Sequence, residues 1–152
     1  MTYNGGVKTI SFVSTWRSAK EFNDLKTIAK LHFPDFKNTQ YIFLVENKKE
    51  FEELPRIANV TYIIKKDFNL FGKFKKQEIK TLLIDNPTDI LLCSDLSANK
   101  FVKKLIFHAK NKIKIGFETE SLPNFDIAFR MEQPSIQKLF EQTEKYLKKL
   151  QQ

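Results

Sequence analysis

Apolar residues along the chain fall into two recurring patterns: short runs with a period near two, and longer stripes spaced three and four apart. Residues 7–14 (VKTISFVS) alternate and then run apolar, which predicts a buried strand. Ser18 and Glu21 follow with the spacing of a capping box. Phe22, Leu25, Ile28 and Ala29 then share one helical face, and Pro34 closes the segment. Residues 41–45 (YIFLV) predict a second strand. Asn47 can cap a short helix carrying Phe51 and Leu54, which Pro55 stops, and 60–64 (VTYII) predict a third strand. A basic and aromatic connection, 65–76 (KKDFNLFGKFKK), leads to a helix with Ile79, Leu82 and Leu83 inward, ending near Asn86 and Pro87.

Residues 89–94 (DILLCS) form an almost wholly apolar fourth strand. Ser97 is the expected cap of a helix whose stripe is Ala98, Phe101, Val102, Leu105, Ile106 and Ala109. Strands at 112–117 and 125–129 follow. A last helix has Pro134 at its first position and Ile136, Leu139, Phe140, Thr143, Leu147 and Leu150 on one face. The order β-α-β-α-β-α-β-α-β-β-α predicts an α/β fold. It reads as one doubly wound, mainly parallel, Rossmann-like sheet of about six strands and five helices, with helices on both faces. Residues 1–6 read as a flexible N-terminus and 7–152 as a single domain. No repeat or linker divides it.

Composition narrows the class. Fifteen Phe against four Gly and five Pro exclude disorder, and one cysteine, Cys93, excludes a disulfide framework. No signal-peptide pattern is visible, and the apolar runs are strand-length, so the expected location is the cytoplasm without membrane association. The net charge is +8, yet only Arg17, Arg56 and Arg130 are arginine, and the other 23 of the 26 basic residues are lysine. Arg provides the planar fork that reads phosphate and base edges, so this balance favours solubilising charge over a tuned nucleic-acid surface.

From about residue 69 to 150 the chain resembles a bacterial family of unknown function, known mainly from Bacteroidetes-type genomes. The residues carrying the resemblance are Leu70-Phe71-Gly72-Lys73, the run from Thr88 to Leu96, Ala109 to Gly116, and Asn124 to Ile127. Cys93 and Ser94 stand where the family tends to have Ile-Asp, with Asp95 one place on. The resemblance implies a Rossmann-like fold, a cytoplasmic bacterial protein and no assigned activity. The same stretch is similar to the acceptor-side half of heptosyltransferase-type glycosyltransferases, through Ile113-Lys114-Ile115-Gly116-Phe117. The chain has no room for the donor-binding domain of those enzymes, so their catalysis is not implied.

In such a sheet, ligands bind beyond the carboxyl ends of the strands, where the strand order reverses. That rule nominates Ser14, Thr15 and Trp16 after the first strand, and Glu46 and Asn47 after the second. It also nominates Ser94, Asp95 and Ser97 after the fourth, and Glu118 and Thr119 after the fifth. Of these, Ser14, Trp16, Asn47, Ser94, Asp95 and Ser97 are the candidate ligand-binding residues. The bland alternative is that Ser97 caps a helix and Asp95 complements its dipole. A second candidate surface is the connection itself, with Phe68, Phe71, Lys73, Phe74, Lys75 and Lys76 interleaved; here the bland alternative is aromatic anchoring under solubilising lysines.

No catalytic residues, metal ligands or cofactor motif emerge. Glycine-rich phosphate loops are missing after the first strand, His32 and His108 lack ligand spacing, and Cys93 lies inside a strand. The expectation is a non-catalytic binding or interaction module for a protein partner or a small anionic ligand. The alternatives are a small enzyme or sugar-nucleotide-related domain at the strand edge, and nucleic-acid binding through the lysines.

Overall fold

A computed structural model describes residues 8–69, 73–97, 99–118 and 125–150. Six strands form one sheet in the order β3-β2-β1-β4-β5-β6. The strands are β1 (Thr9–Thr15), β2 (Asn38–Leu44), β3 (Val60–Ile63), β4 (Ile90–Cys93), β5 (Ile113–Phe117) and β6 (Ile127–Phe129), and all five pairings are parallel. Five helices accompany them: α1 (Ala19–His32), α2 (Lys48–Glu53), α3 (Gln77–Lys80), α4 (Lys100–His108) and α5 (Ile136–Lys149). This is the doubly wound, Rossmann-like arrangement that the alternating pattern predicts.

Strand alternation sorts the core into two layers. Ile10 and Phe12 of β1, Tyr41 and Phe43 of β2 and Ile90 and Leu92 of β4 face α1 and α5. Val13, Ile42, Leu44, Leu91 and Cys93 face the layer of α3 and α4, with Ile79, Leu83, Val102, Leu105 and Ile106. Both faces of the central strands are covered, so their sequences run apolar rather than alternating. The α1/α5 layer holds much of the phenylalanine: Phe12 stacks on Tyr41 and Phe140 at 5.4 and 5.2 Å, and Phe33 packs on Phe12, Phe36 and Phe140.

Local signals place most helix starts. The Ser18 hydroxyl accepts from Glu21 N–H (3.1 Å) at the head of α1, and Asn47 Oδ1 accepts from Glu50 N–H (3.0 Å) at the head of α2. Three expectations need correction. Asn99, not Ser97, caps α4: its Oδ1 accepts from Phe101 N–H at 2.8 Å. Ser135 caps α5 by accepting from Lys138 N–H, so Pro134 lies one residue before the cap rather than in the first helical position. The third helix keeps one α turn and then widens into a π turn over Thr81–Asp85, closed by Asn86 N–H donating to Thr81 O at 2.8 Å. β2 also begins earlier than its apolar run, because Asn38 and Thr39 pair with Thr9 and Ile10.

At the amino ends of the strands, Asp89 ties β1 to β4. It accepts from the N–H groups of Lys8 (2.8 Å) and Thr9 (3.1 Å). Beside it Ser11 Oγ meets Thr88 Oγ1 at 2.7 Å, and Asn111 Nδ2 donates to Thr88 O at 2.8 Å. Gly116 in β5 is a requirement of space: a Cβ there would overlap the Phe125 ring. Leu70, Phe71, Gly72, Ala98, Thr119 and Asn124, named above, and the N-terminal segment before residue 8 lie outside the described residues.

Candidate functional site at the strand-order reversal

β1 and β4 are neighbours, and the chain winds outward from them in opposite directions. Their carboxyl ends separate the two windings, which opens a crevice there. A cleft of about 330 Å³ occupies it, with walls from the end of β1, the start of α1, the end of β4 and the start of α5. Ser14, Trp16 and Ser94, three of the residues nominated from sequence, line it.

Its apolar side is made by Trp16, Phe22, Leu25, Ile28, Phe43 and Ile136. Trp16 is 9% exposed and held edge-on by Phe43 (5.1 Å) and Tyr62 (5.7 Å), so it is a fixed wall. Arg17, half-exposed, and Ser18 provide polar groups where α1 begins, and Glu21 and Asp24 stand further along that helix. Ser94 is 4% exposed, and its hydroxyl has no hydrogen-bond partner among the described residues. Ser14 Oγ makes only a long 3.4 Å bond to the Thr15 carbonyl. Both hydroxyls therefore retain unused hydrogen-bonding capacity among the described residues.

Asp95 has a different position. It is 2% exposed, accepts from the Thr15 hydroxyl and from Ser97 N–H (2.9 Å), and lies 3.5 Å from Arg17 Nη2. It buckles the ends of β1 and β4 together and orients Arg17 at the cleft. Ser97 thus serves through its backbone, binding Asp95. Asn47 is committed to the α2 cap and does not line the cleft. Glu46 accepts from Asn99 Nδ2 at 3.1 Å, and Glu118 pairs with Arg130 at 3.1 Å, so neither is brought to the cleft. Arg17, Phe43 and Ile136 were not singled out from the sequence. Arg17, one of only three arginines and two residues past the first strand, carried a usable signal; Phe43 and Ile136 enter through packing alone.

The other chemically capable side chains lie elsewhere. Cys93 is fully buried, and burial pushes its thiol up to about 12, so it holds its proton. His32 is buried between Glu144 Oε1 (2.8 Å from Nδ1) and the Gln137 amide (3.0 Å from Nε2). His108 is held below the usual histidine value by burial and then by Lys73, Lys110 and Lys114. Among the described residues, no group of three or more His, Cys, Asp or Glu could hold a metal ion. Among them, too, no helix is long and apolar enough to cross a membrane.

In the basic connection, Phe68 and Phe74 do not present a surface. They are 6% and 2% exposed, form an antiparallel bridge, and pack 5.5 Å apart between α3 and α4. Lys76 is taken up by the buried Asp67 at 3.1 Å, while Lys73 and Lys75 are exposed. Phe68 and Phe74 anchor the connection while Lys73 and Lys75 line its outside, which is the bland alternative for those two Phe residues.

Compared with protein-family models, residues 2–150 match a family of unknown function (DUF6913). The match covers nearly the whole chain, not only the part after residue 69 that carries the resemblance. Comparison with curated proteins gives no match.

Proposed function

We propose that this chain, which belongs to that family of unknown function, is a non-catalytic module that binds a small molecule in the cleft at the ends of β1 and β4. The observation that carries the reading is the Ser94 hydroxyl, buried and unpartnered in the wall of the cleft at the position where sheets of this winding take ligands. A buried hydroxyl without a partner costs about 1–3 kcal/mol, and a ligand that hydrogen-bonds it recovers that cost. Arg17 and the start of α1 favour a ligand with an anionic group. The wall of Trp16, Phe43 and Ile136 favours an apolar or planar body attached to it.

A binding role is preferred to an enzymatic one because the buried ionisable groups at the ends of β1 and β4 are occupied or hold their proton. Asp95 spends its carboxylate on Thr15, Ser97 and Arg17, and the Cys93 thiol stays protonated. Neither is poised as a base or nucleophile. The fully buried lone thiol fits a reducing compartment such as the cytoplasm.

Trp16 is the chain's only tryptophan and lies in the wall, so its fluorescence reports on occupancy directly. A panel of small organic anions screened by Trp16 emission should yield a saturable ligand whose affinity drops about tenfold in Ser94→Ala. A panel giving no saturable ligand, or a ligand bound equally well by Ser94→Ala, would defeat the reading. Turnover of a panel member, abolished by Asp95→Asn in a protein that still folds, would favour the enzymatic alternative instead.

A further inference from the structure

Apart from the cleft, the connection after β3 and the first turns of α4 enclose a second depression of about 420 Å³, lined by Lys65, Phe68, Lys75, Lys100, Phe101 and Lys104, with Asn69 at its edge. We propose that this depression binds a run of linked phosphate groups, as carried by an oligophosphate or by the backbone of a nucleic-acid strand.

Four lysines line one small volume, and none of the four is in an ion pair among the described residues. Among the described residues, no carboxylate lines the depression. Asp67, the nearest acid in the connection, is buried and already holds Lys76. Like charges gathered without counter-charge repel one another, and an anion removes that cost.

The crowding extends beyond the depression. Lys66 is held below the usual lysine value, first by Lys48 beside it, then by desolvation and by Lys75, against an opposing effect of Glu52. His108 on α4 is lowered by burial and then by three lysines.

The lysines are carried on a fixed frame. The Phe68–Phe74 bridge, Lys75 N–H donating to Asp67 O (2.8 Å) and the packing of Phe68 on Phe101 (5.4 Å) tie the connection to α4. The Lys100 and Lys104 ammoniums lie 5.3 and 5.1 Å from the centre of the Phe101 ring, which keeps both heads at the depression. Their place over the ring also decides the ligand chemistry. The ring face is occupied by ammonium groups, so recognition is by charge rather than by base stacking. Lysine acts on phosphate as a point charge, with no need of the bidentate fork that this chain largely lacks. Linked phosphates concentrate more negative charge in this volume than side-chain carboxylates on a peptide can.

The test is titration calorimetry of the full chain with inorganic tripolyphosphate at low salt. It compares wild type, Lys75→Gln/Lys104→Gln, and a control of equal charge loss on other surfaces, Lys37→Gln/Lys145→Gln. The expected result is saturable binding that weakens with salt, falls about tenfold or more in the pocket variant, and changes less than about twofold in the control. Lys37, Lys75 and Lys145 are exposed and Lys104 is half-buried, and equal melting temperatures confirm that the fold is kept. Oligothymidylate identifies the source. Displacement of tripolyphosphate by the strand at lower phosphate concentration points to a nucleic-acid backbone, and failure to displace it points to a free oligophosphate. No binding at low salt, or equal weakening in both variants, overturns the proposal.

Discussion

Ser94→Ala should make the ligand-free protein more stable, not less. Ser94 Oγ is buried with no partner among the described residues, so the folded state carries its desolvation without a compensating bond. Such a group costs about 1–3 kcal/mol, and deleting one oxygen gives back a few tenths in lost dispersion contacts. The net expectation is a gain of about 1 kcal/mol, or roughly 2–4 °C in Tm for a chain of this size. Ser11→Ala is the internal comparison. Ser11 is equally buried, in the neighbouring strand β1, but its hydroxyl is bonded to Thr88 Oγ1 at 2.7 Å. Losing that bond should cost about 1–2 kcal/mol. The same chemical change at two buried serines thus has opposite signs, separated by the hydrogen-bond inventory alone. Urea denaturation followed by far-UV circular dichroism measures both, with unchanged m-values required for the comparison. A loss of about 1 kcal/mol or more in Ser94→Ala would refute the reasoning. It would mean that the hydroxyl is satisfied within the folded chain and is not held ready for a ligand.

Three further outcomes follow from the packing and the charges. Burial alone would raise the Asp89 and Glu144 carboxyls, but both lie below their ordinary values. N–H groups of Lys8 and Thr9 hold Asp89 down, and hydrogen bonds from His32 and Lys148 hold Glu144 down. A depressed carboxylate stabilises the fold above its unfolded value, near pH 4, and that contribution is lost as pH falls through its folded value. Asp89→Asn and Glu144→Gln should therefore lower stability at pH 7, with the deficit shrinking in urea melts as pH falls through the folded carboxyl values; a pH-independent deficit would contradict this. Cys93, fully buried with its thiol pushed up to about 12, should resist a thiol reagent in native buffer and react at once in denaturant, and native labelling at the rate of a free thiol would show the strand position to be wrong. Gly116→Ala should cost about 1–3 kcal/mol by forcing the Phe125 ring off β5, and Gly116→Ala/Phe125→Leu should recover part of it; a neutral Gly116→Ala in thermal melts would show that the ring yields freely.

Cap positions show where local reading succeeds and where it stops. Ser18 and Asn47 were legible because a side-chain oxygen three residues ahead of a free N–H is a short-range arrangement. The start of α4 lies two residues beyond the one Ser97 suggests because Ser97 and Asn99 both offer a cap oxygen: Asn99 accepts from Phe101 N–H, while the Ser97 N–H is taken by Asp95, itself held by Thr15 and Arg17. Phe68 and Phe74 stand among lysines and read equally well as a surface or as an anchor. Only the position of Phe101, brought alongside from α4, settles them as an anchor.

The sequence by itself determined the alternating order of elements, and with it a parallel sheet covered on both faces, because period and burial are properties of neighbouring residues. It also nominated the segments past Ser14 and Ser94, where sheets of this winding take small molecules. The tertiary structure alone decided which oxygens remain unpaired there, since Thr15 and Asp95 meet across 80 residues of chain while the Ser94 hydroxyl meets no partner among the described residues. It decided, too, that four lysines from two distant segments gather at one depression. Hydrogen-bond satisfaction and charge accumulation depend on distance in space, and strand order, which the local pattern does not encode, sets those distances.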